Sequence, residues 1–338
     1  MTNKSAIIGF GNAITDISCE VNDNFLIENK FIKGSMTLID NDIDQQLSQL
    51  NYIKIDCGGS VANSISALSQ FGVGSSFIGK VANDEFGTKF IEKIESQNIC
   101  FLNKNYANNK SAKSFIMVSQ DGQRTMATYL GCASDIDEND IKKEYFINNK
   151  ILYLEGYLWD KDSTIAAIKK SIKLAKNYNV KVAFSLSDSF CVLRHKNEFL
   201  DIIKNDIDIL FANESEIKEL LNVNNIYDKN FYSDIFNKNP NIILAITKSE
   251  NGCVVITGDR EISCPANVVD RVIDTTGAGD CFAAGFLFGI INNLDLKKTC
   301  QFANFVASKI IKKYGARFDD VDLIEINNYK NKIINDII

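Results

Sequence analysis

The sequence predicts an α/β fold: a central, mostly parallel sheet flanked by helices, with a small antiparallel sheet projecting from it. Three observations carry this. Short apolar runs alternate with amphipathic stretches, the pattern of strands joined by crossover helices. Two glycine-rich turns, Cys57-Gly58-Gly59-Ser60 and Gly277-Ala278-Gly279-Asp280, each open an apolar helix. Two stretches, 31–40 and 111–130, break the rhythm with strand-like residues that no helix separates; they read as a small separate sheet or, more plainly, as an edge hairpin on the main sheet.

The elements follow in order. The apolar run 6–8 reads as the first strand. In 31–40, Gly34 precedes Met36, Leu38 and Ile39. Over 60–71, Val61, Ile65 and Leu68 recur at helical spacing, and Gly72 supplies the stop. Residues 77–78 form a strand and 85–96 a helix. Strand-like 115–118 and 124–130 flank Gln120-Asp121-Gly122-Gln123, and Asp-Gly is a strong hairpin signal. Strands at 151–154, 180–184, 207–211, 242–247 and 254–256 alternate with helices at 163–177 and 214–221. An extended segment, 268–273, enters the second glycine turn, and helices 279–291 and 296–314 follow. With two prolines, no flexible linker and no repeat, residues 1–338 read as one domain, its small sheet drawn from about 15–50 and 105–132.

Composition excludes several function classes. A chain of 338 residues buries roughly three quarters of its unfolded surface and needs no staples. Lys plus Arg is 37 and Asp plus Glu is 43, a net charge of −6, so no basic face for nucleic acid is expected. The longest apolar stretch, 281–291, is too short to span a membrane. Nine cysteines, an odd number with no C-x-x-C, read as reduced thiols in a cytoplasmic protein. The single histidine, in Arg194-His195-Lys196, excludes multi-histidine metal sites and reads as a surface residue.

The run Asp274-Thr275-Thr276-Gly277-Ala278-Gly279-Asp280 carries the most chemistry. The first amides of a helix lack internal partners and sit at the positive end of its dipole. The amides of Gly277, Ala278, Gly279 and Asp280 therefore suit a phosphoryl group as its charge develops. Asp280 is placed to accept a proton from an attacking hydroxyl, with its carboxyl depressed by the helix terminus. Helix capping alone is the simpler reading of an Asp at this position. At the first turn, Gly58 and Gly59 let a polyhydroxylated ligand approach the backbone, and Asn63 offers donor and acceptor to vicinal hydroxyls. A loop capped by Ser60 fits the same residues.

Near the start, Gly9-Phe10-Gly11-Asn12-Ala13-Ile14-Thr15-Asp16 begins like a dinucleotide fingerprint, but Ile14 occupies the third glycine position. This weakens a nicotinamide oxidoreductase. Asp16 becomes a candidate for binding sugar hydroxyls, or a turn-forming residue.

The residues resemble the ribokinase, or PfkB, family of sugar and nucleoside kinases. Gly58 to Ser64 with Phe77 to Gly87 looks like its first signature, and Asp274 to Asp280 like its second. The resemblance spans Gly9 to about Phe318 and implies a ribokinase-like sheet with a β lid, ATP as donor and Mg²⁺ as counter-ion. It assigns Asp280 as base and the Gly277-Ala278-Gly279 amides as anion hole. Asn213 and Glu216 resemble its N-x-x-E motif, which organises magnesium, water and phosphate; they also read as a capping box. It places ATP along Thr247, Ser249 and Gly252 and near Asn304, with Ser249 standing where members often carry Gly. It leaves open a monovalent cation such as K⁺ near Asp274, Thr276, Gly315 and Ala316.

Within the family the N-terminal part most resembles adenosine kinases. Gly11-Asn12 through Asp16-Ile17 looks like their G-N-x-x-x-D-I stretch, and Gly58 to Ser64 like their G-G-S-x-x-N-S. Asn12, Asp16, Gly58, Gly59 and Asn63 would then face ribose. Arg124 resembles a lid arginine that approaches phosphate, and Tyr157 falls where a base-stacking aromatic stands; a solvated arginine and a core aromatic are the plainer readings. Ala62 departs from the Gln of one adenosine kinase group. The reading is ATP-dependent phosphorylation of a primary hydroxyl on a small sugar-containing molecule, adenosine to AMP first. A free sugar (ribose, fructose or a keto-deoxy acid) is second, and a non-catalytic sensor third. A monomer or a homodimer fits.

Overall fold

The computed structural model describes residues 5–103, 105–226 and 232–335. β1 (Ile7–Phe10), buried at every position, runs directly into β2 (Ile14–Glu20), which alternates buried and half-buried residues. Then come α1 (Asp23–Glu28), β3 (Met36–Leu38), α2 (Asn41–Leu47), β4 (Lys54–Gly58) and α3 (Ser60–Gln70). β5 (Ser75–Ile78), α4 (Glu85–Ser96) and β6 (Ile99–Phe101) precede the hairpin of β7 (Ala112–Val118) and β8 (Arg124–Tyr129). The second half alternates: β9 (Ile151–Glu155), α5 (Asp162–Asn177), β10 (Lys181–Ser185), α6 (Ser189–Asn205), β11 (Ile209–Asn213) and α7 (Glu214–Leu221). α8 (Ser233–Lys238), β12 (Ile243–Thr247), β13 (Cys253–Ile256) and β14 (Glu261–Cys264) lead to α9 (Ala278–Ile291), α10 (Leu296–Ile310) and α11 (Asp320–Ile334).

The large sheet has the order β14-β13-β12-β11-β10-β9-β1-β5-β6. Its strands are parallel except at β12–β13 and β13–β14. Strands buried on both faces need helices on both, which accounts for their unbroken apolar runs. On one face Phe211 meets Tyr153 and also Phe282 and Phe286 of α9. On the other, Trp159, Phe184 and Phe199 pack edge to face or tilted, with ring centroids 5.0–5.3 Å apart. The chain leaves β1 toward β5 and β6 on one side and returns through β9 on the other. The strand order thus switches between β1 and β9, where open α/β sheets form a crevice.

The small sheet, β3-β8-β7-β2-β4, is mixed rather than antiparallel as expected. β2–β4 and β7–β8 are antiparallel, but β2–β7 and β3–β8 are parallel. β2 and β7 each arrive from a parallel strand of the large sheet, β1 and β6, and so enter running the same way. The expected hairpin is present, with Gly122 at φ +81° in its turn. One face of this sheet buries Ile17, Phe115 and Met117 against Leu26 of α1 and Leu47 of α2. The opposite face presents Asp16, Ser114 and Met126 to the crevice.

Two long helices escaped the sequence reading. α6 is interrupted at His195, where the backbone leaves helical geometry at φ −121° and ψ 23°, so its apolar period does not run through. α11 buries only Ile326 and Ile333 and carries almost no amphipathic signal. The helix expected over 296–314 ends at Ile310, and the segment 268–273 joins neither sheet. Among the described residues no helix is long and apolar enough to cross a membrane, and all nine cysteines are unpaired.

Candidate active site

Two cavities meet at the N-terminus of α9. The first, about 450 Å³, lies at the strand switch and is lined by Asp16, Asn63, Tyr157, Glu216 and Asp280, among others. The second, about 540 Å³, opens on the far side of the same helix end between Thr247, Ser249, Gly252 and Asn304. Thr247, Gly279 and Phe282 line both. A ligand in one can therefore touch a ligand in the other only at the mouth of α9.

The mouth is built by Gly277, which takes φ +77° as the cap of α9 and has no side-chain cap bond. A Cβ there would also lie 2.5 Å from the Ala316 Cβ. The Cys281 amide begins the helical ladder to Gly277, and the Ala278 amide donates to the Thr275 carbonyl at 3.1 Å. The expected contribution of the Ala278 amide to an anion hole is thus spent locally. The Gly279 and Asp280 amides belong to the first turn, where no carbonyl one turn back is available.

Asp280 is held by α3. Ser60 Oγ donates to its Oδ1 at 2.6 Å, and Asn63 Nδ2 donates to its Oδ2 at 2.9 Å. Burial pushes its carboxyl up, against hydrogen bonds from Ser60 and Asn63 and the charge of Arg317. This reverses the expected depression, because desolvation at the cleft floor outweighs the helix terminus. Asn63 is 7% exposed, and its Oδ1 is buried without a partner. An acceptor left open beside a carboxylate costs about 1–3 kcal/mol unless something donates to it.

Asp16 points into the same cleft from β2, and burial pushes its carboxyl up to about 7, against the charge of Arg317. Its Oδ1 would lie 2.1 Å from a Cβ at position 58, so glycine there is what lets the carboxylate keep this place. Asn12, by contrast, is 3% exposed and does not line the cleft; its backbone amide donates to Glu155 Oε1 at 2.9 Å and its Nδ2 donates to the Tyr157 carbonyl at 3.5 Å. Tyr157 lines the cleft, with its hydroxyl 3.4 Å from the Ser187 carbonyl oxygen.

Glu155, at the end of β9, gave no sequence signal beyond its place after a strand. It is 1% exposed, and its second oxygen accepts the Val61 amide at 2.8 Å. One carboxylate therefore stitches the loop after β1 to the start of α3. Burial pushes it up to about 7, opposed by hydrogen bonds from the Asn12 and Val61 amides.

Asn213 and Glu216 form the capping box of α7: Asn213 Oδ1 accepts from the Glu216 amide, and Glu216 accepts from the Asn213 amide and Nδ2. The pair also lines the first cavity, and burial pushes Glu216 up to about 7. The capping box is therefore formed, and the same two side chains border the cavity. In the second cavity Ser249 adopts φ +50°, a conformation suited to glycine, and Asn304 donates to the Cys264 and Pro265 carbonyls at 3.1 and 2.9 Å.

Arg124 does not face the cleft centre. Its Nη1 pairs with Asp274 Oδ2, which also accepts the Gly315 amide, while Oδ1 accepts from the Thr276 amide and hydroxyl. Partial burial pushes Asp274 up, but the donors from Gly315 and Thr276 and the Arg124 charge hold it below the usual range. Four donors fill a carboxylate's acceptor positions. The Asp274 carboxylate thus has no acceptor position left for K⁺ while Arg124 is in place. His195 lines neither cavity and lies 3.0 Å from Asp160.

The profile of the pfkB family of carbohydrate kinases matches residues 33–322. A solved adenosine kinase from Sinorhizobium meliloti is 34% identical, covers 97% of this chain and 99% of its own, and superposes with a TM-score of 0.86. A solved probable sugar kinase from Rhizobium etli is 33% identical, covers 98% and 99%, and gives 0.85. A 5-dehydro-2-deoxygluconokinase from Clostridium botulinum is 24% identical over 298 residues, 85% of this chain and 88% of that protein.

Proposed function

This chain belongs to the pfkB family of carbohydrate kinases, ATP-dependent phosphotransferases, and on that premise we propose that its acceptor is adenosine, phosphorylated to AMP. The observation that carries the reading is the composition of the first cavity. Its ionisable lining is Asp16, Glu216 and Asp280 with Tyr157, and neither Lys nor Arg lines it. A neutral polyol suits such a wall, whereas an anionic sugar acid is repelled. Ile14, Met126 and Tyr157 add an apolar surface for a flat base.

In this reading Asp16 and the open Asn63 Oδ1 hold ribose hydroxyls. Asp280, oriented by Ser60 and Asn63, accepts the proton of the primary hydroxyl as its oxygen bonds to phosphorus. A raised carboxyl is a better base than the depressed one first expected. ATP occupies the second cavity, with its terminal phosphoryl at the Gly279 and Asp280 amides. No group of three metal-ligating side chains occurs among the described residues. Glu216 and Asn213 suit Mg²⁺ held largely through water, because that ion keeps waters and takes most other ligands from phosphate. Held by Glu216 and Asn213, Mg²⁺ would supply charge neutralisation to the phosphates. Nine free thiols favour a reducing compartment, the cytoplasm, where the product would enter purine salvage.

The likeness to 5-dehydro-2-deoxygluconokinases favours a second reading, a free sugar or sugar acid as acceptor. ADP release with adenosine, ribose, fructose and 5-dehydro-2-deoxygluconate, at matched ATP, separates the two. Adenosine driving ADP and AMP formation is the expected result. Turnover with a free sugar and none with adenosine would discard the first reading.

A further inference from the structure

We propose that Arg317 is a positioning residue for the acceptor side: its guanidinium grips the carbonyls flanking the Gly58-Gly59 turn and fixes a positive charge close to Asp16 and Asp280. The inference rests on the roles given above to those two carboxylates. Arg317 follows Gly315 and Ala316 in the loop between α10 and α11. Its Nη2 donates to the Cys57 carbonyl at 2.9 Å and its Nη1 to the Ala62 carbonyl at 3.3 Å.

Those two carbonyls are next in the chain to the groups that hold the carboxylates. Cys57 precedes Gly58, whose missing Cβ makes room for Asp16. Ala62 precedes Asn63, which with Ser60 binds both oxygens of Asp280. One side chain from a distant segment therefore braces the turn on both sides. A planar fork with fixed donor directions does this; a lysine, with a single flexible ammonium, cannot reproduce it. The Arg317 Nε is buried with no partner, so the side chain is not placed for its own hydrogen bonding alone.

The charge matters as well as the grip. Asp16 faces Asp56 and Lys54 of β4, Arg124 of β8, and Arg317. Asp280 faces Ser60 and Asn63 of α3 and Arg317, and its own charge reaches Tyr153, Glu155, Tyr157 and Cys281. Arg317 is the cation common to both carboxylates and opposes the burial that favours their protonated forms.

The test uses the full chain with Arg317→Met and Arg317→Lys. Two readouts need no acceptor: ¹³C titration of aspartate carboxyls, assigned by the signals missing in Asp16→Asn and Asp280→Asn, and amide hydrogen exchange across residues 57–64. Arg317→Met is expected to move both carboxyl midpoints to higher pH and to speed exchange about tenfold or more. Arg317→Lys is expected to keep the midpoints and still speed exchange. Unchanged exchange in Arg317→Lys overturns the grip, and it decides this even if Arg317→Met does not fold. Faster exchange with unmoved midpoints in Arg317→Met overturns the charge. Failure of the base assignment shows separately, as turnover retained by Asp280→Asn.

Discussion

Arg124, in the small sheet, places its Nη1 2.9 Å from Asp274 Oδ2, in the approach to α9. The pair ties the sheet that presents Asp16 to the turn that would receive phosphate. The guanidinium also lies over the Tyr314 ring, 5.1 Å from its centroid, and its Nε is buried without a partner. Truncation to Met leaves Asp274 short of one of its four donors and the small sheet untethered. A loss of about 2–3 kcal/mol of transition-state stabilisation, roughly 30- to 150-fold in kcat/KM, is expected from steady-state ADP release.

The same pairing bears on salt. With the Asp274 carboxylate filled, replacing KCl by NaCl at constant ionic strength should leave the rate unchanged. A rate that collapses without K⁺ would mean that Arg124 leaves Asp274 during turnover.

Asp280→Asn should fold and still gain thermal stability from ATP, but lose about 10²- to 10⁴-fold in kcat. In the unsubstituted enzyme the acid limb of kcat against pH should lie above the ordinary aspartate range, because burial raises this carboxyl. Activity rises as pH passes through that limb, since the ionised form is the base. An acid limb in the ordinary range would contradict a desolvated carboxylate.

Glu155 and Glu216 make a prediction about stability. Both are pushed by burial from 4.5 to about 7, and both are almost wholly buried. The folded chain holds these protons more tightly than the unfolded one. The stability they contribute is complete below about pH 4.5 and is lost as pH rises through about 7, at most roughly 3 kcal/mol for each group. The thermal midpoint should fall between pH 5 and 8, and Glu155→Gln should flatten that slope. An unaltered slope in the variant would exclude Glu155 as its source.

Gly58→Ala places a methyl about 2.1 Å from Asp16 Oδ1, so the carboxylate must move. Acceptor KM should rise by about tenfold or more while ATP binding is unchanged, because the second cavity shares no wall with position 58. Isothermal titration with ATP and acceptor titration of ADP release separate the two. Equal weakening of both ligands would point to a general loss of structure.

The parts of the fold legible in the sequence are those with a strong local signal. α3 and α9 follow glycine turns and have long apolar faces, and the buried strands β9 to β12 read as unbroken apolar runs. β2 was hidden because Asp16 and Ser18 face the cleft side while Thr15, Ile17 and Cys19 are buried, and the run was read for its chemistry. Asp280, Asn63 and Asp16 do converge, as the family resemblance implied. Glu155 and Arg317 were invisible because their importance lies in backbone partners far away in sequence, at separations of 94 to 260 residues. No local pattern encodes such bonds. The Arg124 contact with Asp274 was missed for the same reason.

Only Thr247, Gly279 and Phe282 are common to the two cavities. Under the proposed assignment, nucleotide recognition and alcohol recognition would be nearly separable inheritances. If the proposed assignment of the two cavities holds, substitutions at Ile14, Met126 or Tyr157 would retune which alcohol is taken without disturbing the wall proposed for ATP. Descendants of one ancestral chain could drift from one acceptor to another while keeping the same donor, and their overall resemblance would say little about what each one phosphorylates.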